Sequence, residues 1–343
     1  MKRYIVILLS SLAFLTSCEN DSWEFPDFDY SAVYFSYQSP VRTITLGEDI
    51  YDTSLDNEHK FLIMATLGGV YENDHDIFIN VAVDNTLLDS VRFETTTGAK
   101  VLPMPAEYYT LPADMRIKIP KGKIIGGIEV QLTQAFFADT LALINSYVIP
   151  LVMTSVTNAD SILSGRPSVS NPIRTRSSDW SVAPKDYVLY AVKYINPWHG
   201  FYLRRGVENV TITANGNQSQ FVYRNEFVER DEVCFARTLS LSTVDINLRA
   251  QLGDNQFIPF TMVLNFGSNN SFTIAQPIGA AYTINGSGTF VEDGDKWGGQ
   301  NRNVMHLQYS VDFGTSTHTM TDTLVVRNRG VSFETFIPVN VLP

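Results

Sequence analysis

Two short stretches of the chain combine aromatic, amide and basic residues in a way that could bind a ligand. One reads INPWHGFYLRRG and covers residues 195–206, and the other reads DGDKWGGQNRN and begins at Asp293. A tryptophan in each stretch could stack on the apolar face of a sugar ring, while neighbouring polar groups hydrogen-bond its hydroxyls. The structural alternative is that both tryptophans close the end of a β fold. The candidate glycan-binding residues are Trp297, Trp198, Tyr202, His199 and Asn301.

Catalytic motifs with a readable local signature are absent from the sequence. It contains no Gly-x-Ser-x-Gly, His-Glu-x-x-His, Cys-x-x-Cys or phosphate-binding glycine loop. The five histidines are dispersed, and two acidic loops lack a complete calcium pattern. We therefore expect no catalytic residue, no bound metal and no cofactor. Counting carboxylates does not exclude a glycosidase, which needs only two acids across a cleft.

The chain has 343 residues and a formal net charge of −11, with a pI near 4.9. This length suits two domains with separate cores. The acidic balance excludes a nucleic-acid partner, because phosphate binding requires concentrated Lys and Arg.

The N-terminus has the pattern of an export signal. Lys2 and Arg3 precede an apolar run that is too short to span a bilayer, and the run ends in Leu-Thr-Ser-Cys. This ending resembles the bacterial lipobox, which implies cleavage before Cys18 and lipid attachment to its thiol. We predict a lipoprotein signal peptide over residues 1–18 and a tether over residues 19–30. The other cysteine, Cys234, lies in an alternating stretch and is predicted to be buried in the core.

The rest of the chain alternates short apolar runs with turn residues, which predicts an all-β fold. Strand spacing favours a β-sandwich over residues 31–157 and a closed antiparallel β-barrel over residues 185–343. A second sandwich is the alternative to the barrel. Residues 158–184 are rich in Ser, Asn and Pro without a sustained period, which predicts a linker.

Particular stretches of both halves resemble a known family. GGVYENDHDIFINVAVDN, YYTLPADMRIKIPKGKIIGGIEVQL and SYVIPLVMTSVTNADSILSG resemble the immunoglobulin-like N-terminal domain found before some endoglycosidases. YVLYAVKYINPWHGFYLRRG, GSGTFVEDGDKWGG and TDTLVVRNRG resemble the lipocalin-like C-terminal barrel domain, of unknown function, that follows it in two-domain Bacteroidetes surface lipoproteins of polysaccharide-utilisation loci.

The resemblance implies an immunoglobulin-like sandwich followed by a lipocalin-like barrel. It also implies a lipid anchor in the outer membrane, facing the cell exterior, and non-catalytic binding of an oligo- or polysaccharide beside a transporter of the starch-utilisation type. The alternative is an adhesin or structural component that binds a protein partner or that transporter. A glycosidase of unfamiliar layout and a carrier of apolar small molecules also stay open.

Overall fold

A computed structural model describes residues 28–341 of the chain. The predicted signal peptide, Cys18 and most of the predicted tether lie outside these residues. The protein is nearly all β, with 8% of residues in helices and 55% in strands, which confirms the predicted fold class. No helix within the described residues is long and apolar enough to cross a membrane.

The first domain is built on strands β1 to β14 with a few short helices. Its strands are β1 Ala32–Tyr34, β2 Pro40–Thr45, β3 Lys60–Gly68, β4 Ile77–Val83, β5 Val91–Phe93, β6 Leu102–Pro103, β7 Tyr109–Thr110, β8 Arg116–Ile119, β9 Ile125–Leu132, β10 Tyr147–Thr157, β11 Ser161–Ile162, β12 Arg166–Pro167, β13 Trp180–Val182 and β14 Tyr187–Ile195. Its helices are α1 Ser54–Asn57 and α2 Gln134–Ala138, with 3-10 turns at Asn85–Leu88, Ala106–Tyr108, Thr140–Leu143 and Ser177–Asp179.

These strands enclose an apolar core because their side chains alternate between the interior and solvent. In β3, for example, Phe61, Ile63 and Ala65 are at most 1% exposed, whereas Leu62 and Met64 face out. The first half of strand β10 pairs with β14 and its second half pairs with β4, where a bulge between Met153 and Ser155 shifts the register. The first half of β10 is buried on both faces, because a smaller second core lies behind it.

The second domain is a closed antiparallel barrel of eight strands. The eight strands of the ring are β15 Gly200–Ile212, β17 Glu232–Ser240, β18 Thr243–Gly253, β19 Gln256–Phe266, β20 Ser271–Ala275, β21 Thr283–Trp297, β22 Gln300–Asp312 and β23 Ser316–Asn328. The domain also contains a ninth strand, β16 Gln218–Tyr223, and a 3-10 turn at Val228–Arg230. Strands β15 and β23 pair along their length and close the barrel, while β16 extends one edge of β15 outside the ring. Cys234 is 5% exposed in the barrel core, as predicted.

The two ends of the barrel are named by their surroundings. The junction end adjoins the first domain and contains the start of β15, the end of β23 and the tip of the β21–β22 hairpin. The far end contains the β18–β19 and β22–β23 turns.

Two segments belong to a different domain from the one predicted. Strand β14, which the sequence assigns to the barrel, pairs instead with β10 and β2 of the first sheet. The C-terminal strands β24 Glu334–Thr335 and β25 Pro338–Asn340 also return to the first domain, where they pair with β2 and β5. Between them Phe336 is 2% exposed and packs on Phe93 in the smaller core.

The predicted linker, residues 158–184, folds against the first domain. Strand β11 pairs in parallel with β1, and β12 pairs with β13. Arg174 donates two hydrogen bonds to Asp186, whose carboxylate is buried. The segment therefore has fixed contacts even though its sequence has no period.

Arg329 joins the two domains at the junction end of the barrel. Its guanidinium is buried and donates to the carbonyls of His199 and Asn196 at 2.7 Å each. It also donates to the carbonyls of Glu48 at 2.7 Å and Leu46 at 3.0 Å, in a loop of the first domain. One side chain thus satisfies four backbone acceptors from two domains.

We predict that Arg329→Ala destabilises the protein by at least about 3 kcal/mol, because each buried carbonyl left without a donor costs about 1–3 kcal/mol. The urea midpoint measured by intrinsic fluorescence reports the change. Arg224→Ala is the control, since Arg224 is exposed and its removal should stay within about 0.5 kcal/mol. Equal midpoints for the two variants would show that Arg329 does not hold the domains together.

Candidate functional site

The corner between β14 and β15 is fixed from within by Asn196, which is fully buried. Its side-chain amide donates to the carbonyls of Ser240 and Thr243 at 2.9 and 3.0 Å. Its side-chain oxygen accepts the backbone N–H of Trp198 at 3.2 Å. These bonds form the turn that Asn196 and Pro197 predict, and they aim Trp198 at the barrel.

Trp198 covers the junction end of the barrel interior. Its ring stacks on Phe266 with centroids 3.7 Å apart and planes 9° apart, and it packs against the barrel core. Tyr202 lies beneath it at 1% exposure and donates its hydroxyl to the Trp198 carbonyl at 2.7 Å. The structure therefore places these two predicted ligand residues in packing contacts at the barrel end.

His199 is held by a neighbouring strand. Its Nδ1 accepts the backbone N–H of Thr238 at 3.1 Å, which places the ring proton of the neutral form on Nε2. Burial is the main cause that lowers the pKa of His199 to about 4, and the positive charges of Arg329 and Lys193 add to it. The imidazole is consequently neutral at pH 7 and has a structural partner.

Trp297 and Asn301 lie at the tip of the β21–β22 hairpin. Gly298 and Gly299, both with positive φ, form the two-residue turn between the strands. Trp297 is half-buried, and the guanidinium of Arg302 lies 5.0 Å from its ring centroid. Asn301 is exposed and pairs with Lys296 in the ladder.

A cleft of about 220 Å³ lies between this hairpin and the first domain. One wall is the first-domain loop at residues 48–50, and the other is formed by barrel residues at the junction end. Pro197 contributes from one of the two predicted ligand-binding stretches and Asn301 from the other, so the structure brings the two stretches together here. The polar and charged residues lining the cleft are Glu48, Asp49, Asp293, Asn301, Arg302, Asn303, Arg327, Asn328 and Arg329.

Most of the lining residues were not predicted from the sequence. Asp49 comes from a loop with no motif, and Arg327 lies at the end of a strand whose sequence indicates only alternation. Arg302 could have been noticed, because it is in the same hairpin as Trp297 and can reach its ring across the turn.

A larger concavity of about 730 Å³ lies against β19 to β23. The side chains that alternate away from the barrel core there are hydroxyl, amide and imidazole groups such as Thr289, Gln308 and His306. The two aromatic residues that line it, Phe266 and Phe272, are buried in the core. Since this face has no exposed Trp, Tyr or Phe ring for stacking, the junction cleft is the better candidate site.

The middle of the barrel interior contains a charge network. Arg204 is 0% exposed and donates to Asp322 at 3.0 Å and to Glu232 at 3.1 Å. It also lies 4.1 Å from the Tyr223 ring centroid. Gly206 is paired with Asp322, and a Cβ at this position would lie 1.8 Å from the carboxylate, so only glycine leaves room for it.

Nearer the far end, Ser316, His318 and Glu208 have the bonding order of a serine hydrolase triad. The Ser316 hydroxyl lies 2.8 Å from His318 Nε2, and His318 Nδ1 contacts Glu208. All three residues are 0% exposed, and Phe313 packs edge-on against the imidazole. A substrate does not reach the hydroxyl in this arrangement, so we read the three groups as a structural network.

We predict that His199 makes stability depend on pH. Its folded pKa near 4 lies below the ordinary value of 6.5, so the unfolded chain takes up the proton first as pH falls. His199 therefore contributes stability that is complete above pH 6.5 and is lost between pH 6.5 and 4, to a total of about 3 kcal/mol.

Urea unfolding of the wild type and of His199→Asn between pH 7.5 and 4 provides the measurement, because the asparagine oxygen keeps an acceptor for Thr238 without titrating. The difference in unfolding free energy between the two proteins should narrow as pH falls. A constant difference would contradict the prediction.

Two family models match the chain, one within each domain of the structure. A family model for an N-terminal domain matches residues 28–160, and one for a domain of unknown function, DUF5627, matches residues 197–330. The second range spans the closed barrel and leaves out β14 and the C-terminal strands. No curated protein matches the chain.

Among solved structures, a Bacteroides ovatus protein described as of unknown function is 43% identical, with a TM-score of 0.84 over 92% of this chain and 100% of that one. A second B. ovatus protein of unknown function is 14% identical with a TM-score of 0.39, over 90% of this chain and 99% of that one. A multidomain B. ovatus protein including DUF1735 is 13% identical with a TM-score of 0.40, over 88% and 97%.

Proposed function

We propose that the chain, which belongs to the same family as the B. ovatus protein that it matches over 92% of its own length, binds glycan at the cell surface without catalysing a reaction. The junction cleft is the proposed binding site. The lipid anchor at Cys18, the location in the outer membrane facing the exterior, and the work beside a transporter in polysaccharide utilisation are parts of the same proposal. They rest on the export signal and on the family resemblance.

The observation that carries the proposal is the half-exposed Trp297, which does not line the polar cleft itself but packs against Arg302, which does. Arg302 on one side fixes the indole, so that the ring can present a prepared surface to a sugar. Stacking on a pyranose needs such a ring, and specificity needs amides and carboxylates within reach of the hydroxyls. Asn301, Asn303 and Asp49 in the cleft supply those groups.

Of the five predicted ligand residues, the proposal retains Trp297 and Asn301. Trp198, Tyr202 and His199 lie in the same corner of the barrel, but their rings or polar atoms already have protein partners. Their role in the proposal is to hold Pro197 at the wall of the cleft.

We predict that Trp297→Ala lowers glycan affinity at least about tenfold, as expected for a central aromatic contact. Affinity electrophoresis first identifies the polysaccharides that retard the purified protein in the gel. Isothermal titration calorimetry with those polysaccharides then measures the change in affinity. Asn301→Ala should weaken binding by a smaller factor, because it removes one hydrogen-bonding group and leaves the ring.

Phe257→Ala is a matched control. Phe257 is 40% exposed and has Arg249 4.6 Å from its ring centroid, so it repeats the Trp297 arrangement at the far end of the barrel. Affinity should be unchanged in this variant. If no polysaccharide retards the wild-type protein, or if Phe257→Ala weakens binding as much as Trp297→Ala, the proposal fails.

A groove on the first domain favours the alternative function, binding of a protein partner. Tyr37 and Phe333 are 56% and 67% exposed with ring centroids 4.8 Å apart. They border an apolar groove of about 410 Å³ with Met64 and Ile125. Exposed apolar patches of this kind are typical of protein interfaces.

The two functions are distinguished by one pair of variants. If the protein binds a partner through this groove, Phe333→Ser should abolish in-cell cross-linking to that partner and leave polysaccharide affinity unchanged. Trp297→Ala should lower polysaccharide affinity and leave the cross-linking unchanged.

A further inference from the structure

Two arginines of the junction cleft have no acidic partner within residues 28–341. Arg204, Arg205, Arg237 and Arg249 of the same barrel all form ion pairs with carboxylates. Arg302 and Arg327, which line the cleft, form none with any described residue. Arg224 and Arg230 of the barrel also form no ion pair with a described residue, but they do not line the cleft.

Arg302 carries an unsatisfied donor. Its Nε is buried and has no hydrogen-bond acceptor among the described residues. Packing against Trp297 holds the guanidinium in place without satisfying this N–H. A guanidinium matches the planar geometry of a carboxylate with two parallel hydrogen bonds, so its missing partner is most simply an anionic group on the ligand.

The opposite wall has different chemistry. Glu48 and Asp49 lie on the first-domain loop that Arg329 holds against the barrel. Carboxylates on that side would accept hydrogen bonds from sugar hydroxyls but would repel an anion. The barrel wall also contains the carboxylate of Asp293, but Arg302, Arg327 and Arg329 leave its net charge positive. The charges of the two walls therefore favour one orientation, with the acidic group of a sugar toward Arg302 and Arg327 and its hydroxyls toward Asp49.

We propose that the junction cleft selects a sugar residue bearing a carboxylate, a hexuronic acid within an oligosaccharide. This inference rests on the proposed function, because it names the class of glycan for the same site. Trp297 stacks on the ring, and the two arginines bind the carboxylate.

The test compares three oligosaccharides of equal length by titration against the full protein: a galacturonic acid oligomer, its carboxyl-reduced counterpart and a sulfated galactose oligomer. We expect the galacturonic acid oligomer to bind at least about tenfold more tightly than the reduced one, as for a lost charge-assisted hydrogen bond. Tighter binding of the sulfated oligomer than of the carboxylate would overturn the assignment to a uronic acid.

Variants locate the carboxylate. Arg327→Gln, at an exposed position without a contact to Trp297, should remove most of the preference for the acidic oligomer and leave affinity for the reduced one unchanged. Arg302→Gln should also remove most of the preference, and because it releases the Trp297 ring it should weaken binding of both oligomers. Arg302→Lys should retain part of the preference because it keeps the charge. Arg224→Gln removes an exposed charge outside the cleft and should have no effect.

The outcomes separate this inference from the proposed function. Equal affinity for the acidic and reduced oligomers, or an unchanged preference in both glutamine variants, refutes selection of a uronic acid while glycan binding stands. Failure of the protein to bind any glycan refutes both.

Discussion

The four hydrogen bonds from Arg329 are the constraint on which the candidate site depends. They fix the first-domain loop that contains Leu46 and Glu48 relative to the corner formed by Asn196 and His199. Both segments line the cleft, through Glu48 and Pro197, so the Arg329 guanidinium fixes two parts of its wall relative to each other. A planar group with five donors suits this role, whereas a lysine could not reach carbonyls on both sides at once.

The barrel is stabilised differently from the first domain. The first domain has an apolar core in which strand alternation is regular, whereas the barrel interior contains Arg204, Asp322, Glu208 and His318 at 0–1% exposure. Such charges are tolerated only when they are paired and hydrogen-bonded. Tyr309 completes the set by donating its hydroxyl to Asp322 at 2.7 Å. The barrel end is then sealed by apolar stacking of Trp198 on Phe266, which separates this network from the junction.

Much of the fold could be predicted from the sequence, because alternation reports directly which face of a strand is buried. It does not report which strand is the neighbour. Strand β14 has a pattern with both faces buried, and the sequence alone could not show that β10 and β2 flank it. For the site, Trp198 and Trp297 have similar polar surroundings in the sequence. Only the contact with Phe266, from a distant strand, assigns the first to packing.

The return of the C-terminal strands to the first domain makes the barrel an insertion. The chain leaves the first domain after Ile195 and comes back at Glu334, and the two crossing points are adjacent because Phe201 pairs with Asn328. A different domain with neighbouring ends could occupy this position without disturbing the strand order of the host. The two domains are therefore separate in space but not separate along the chain. A cut within residues 158–184 would remove β14 and the C-terminal strands from the first-domain strands with which they pair.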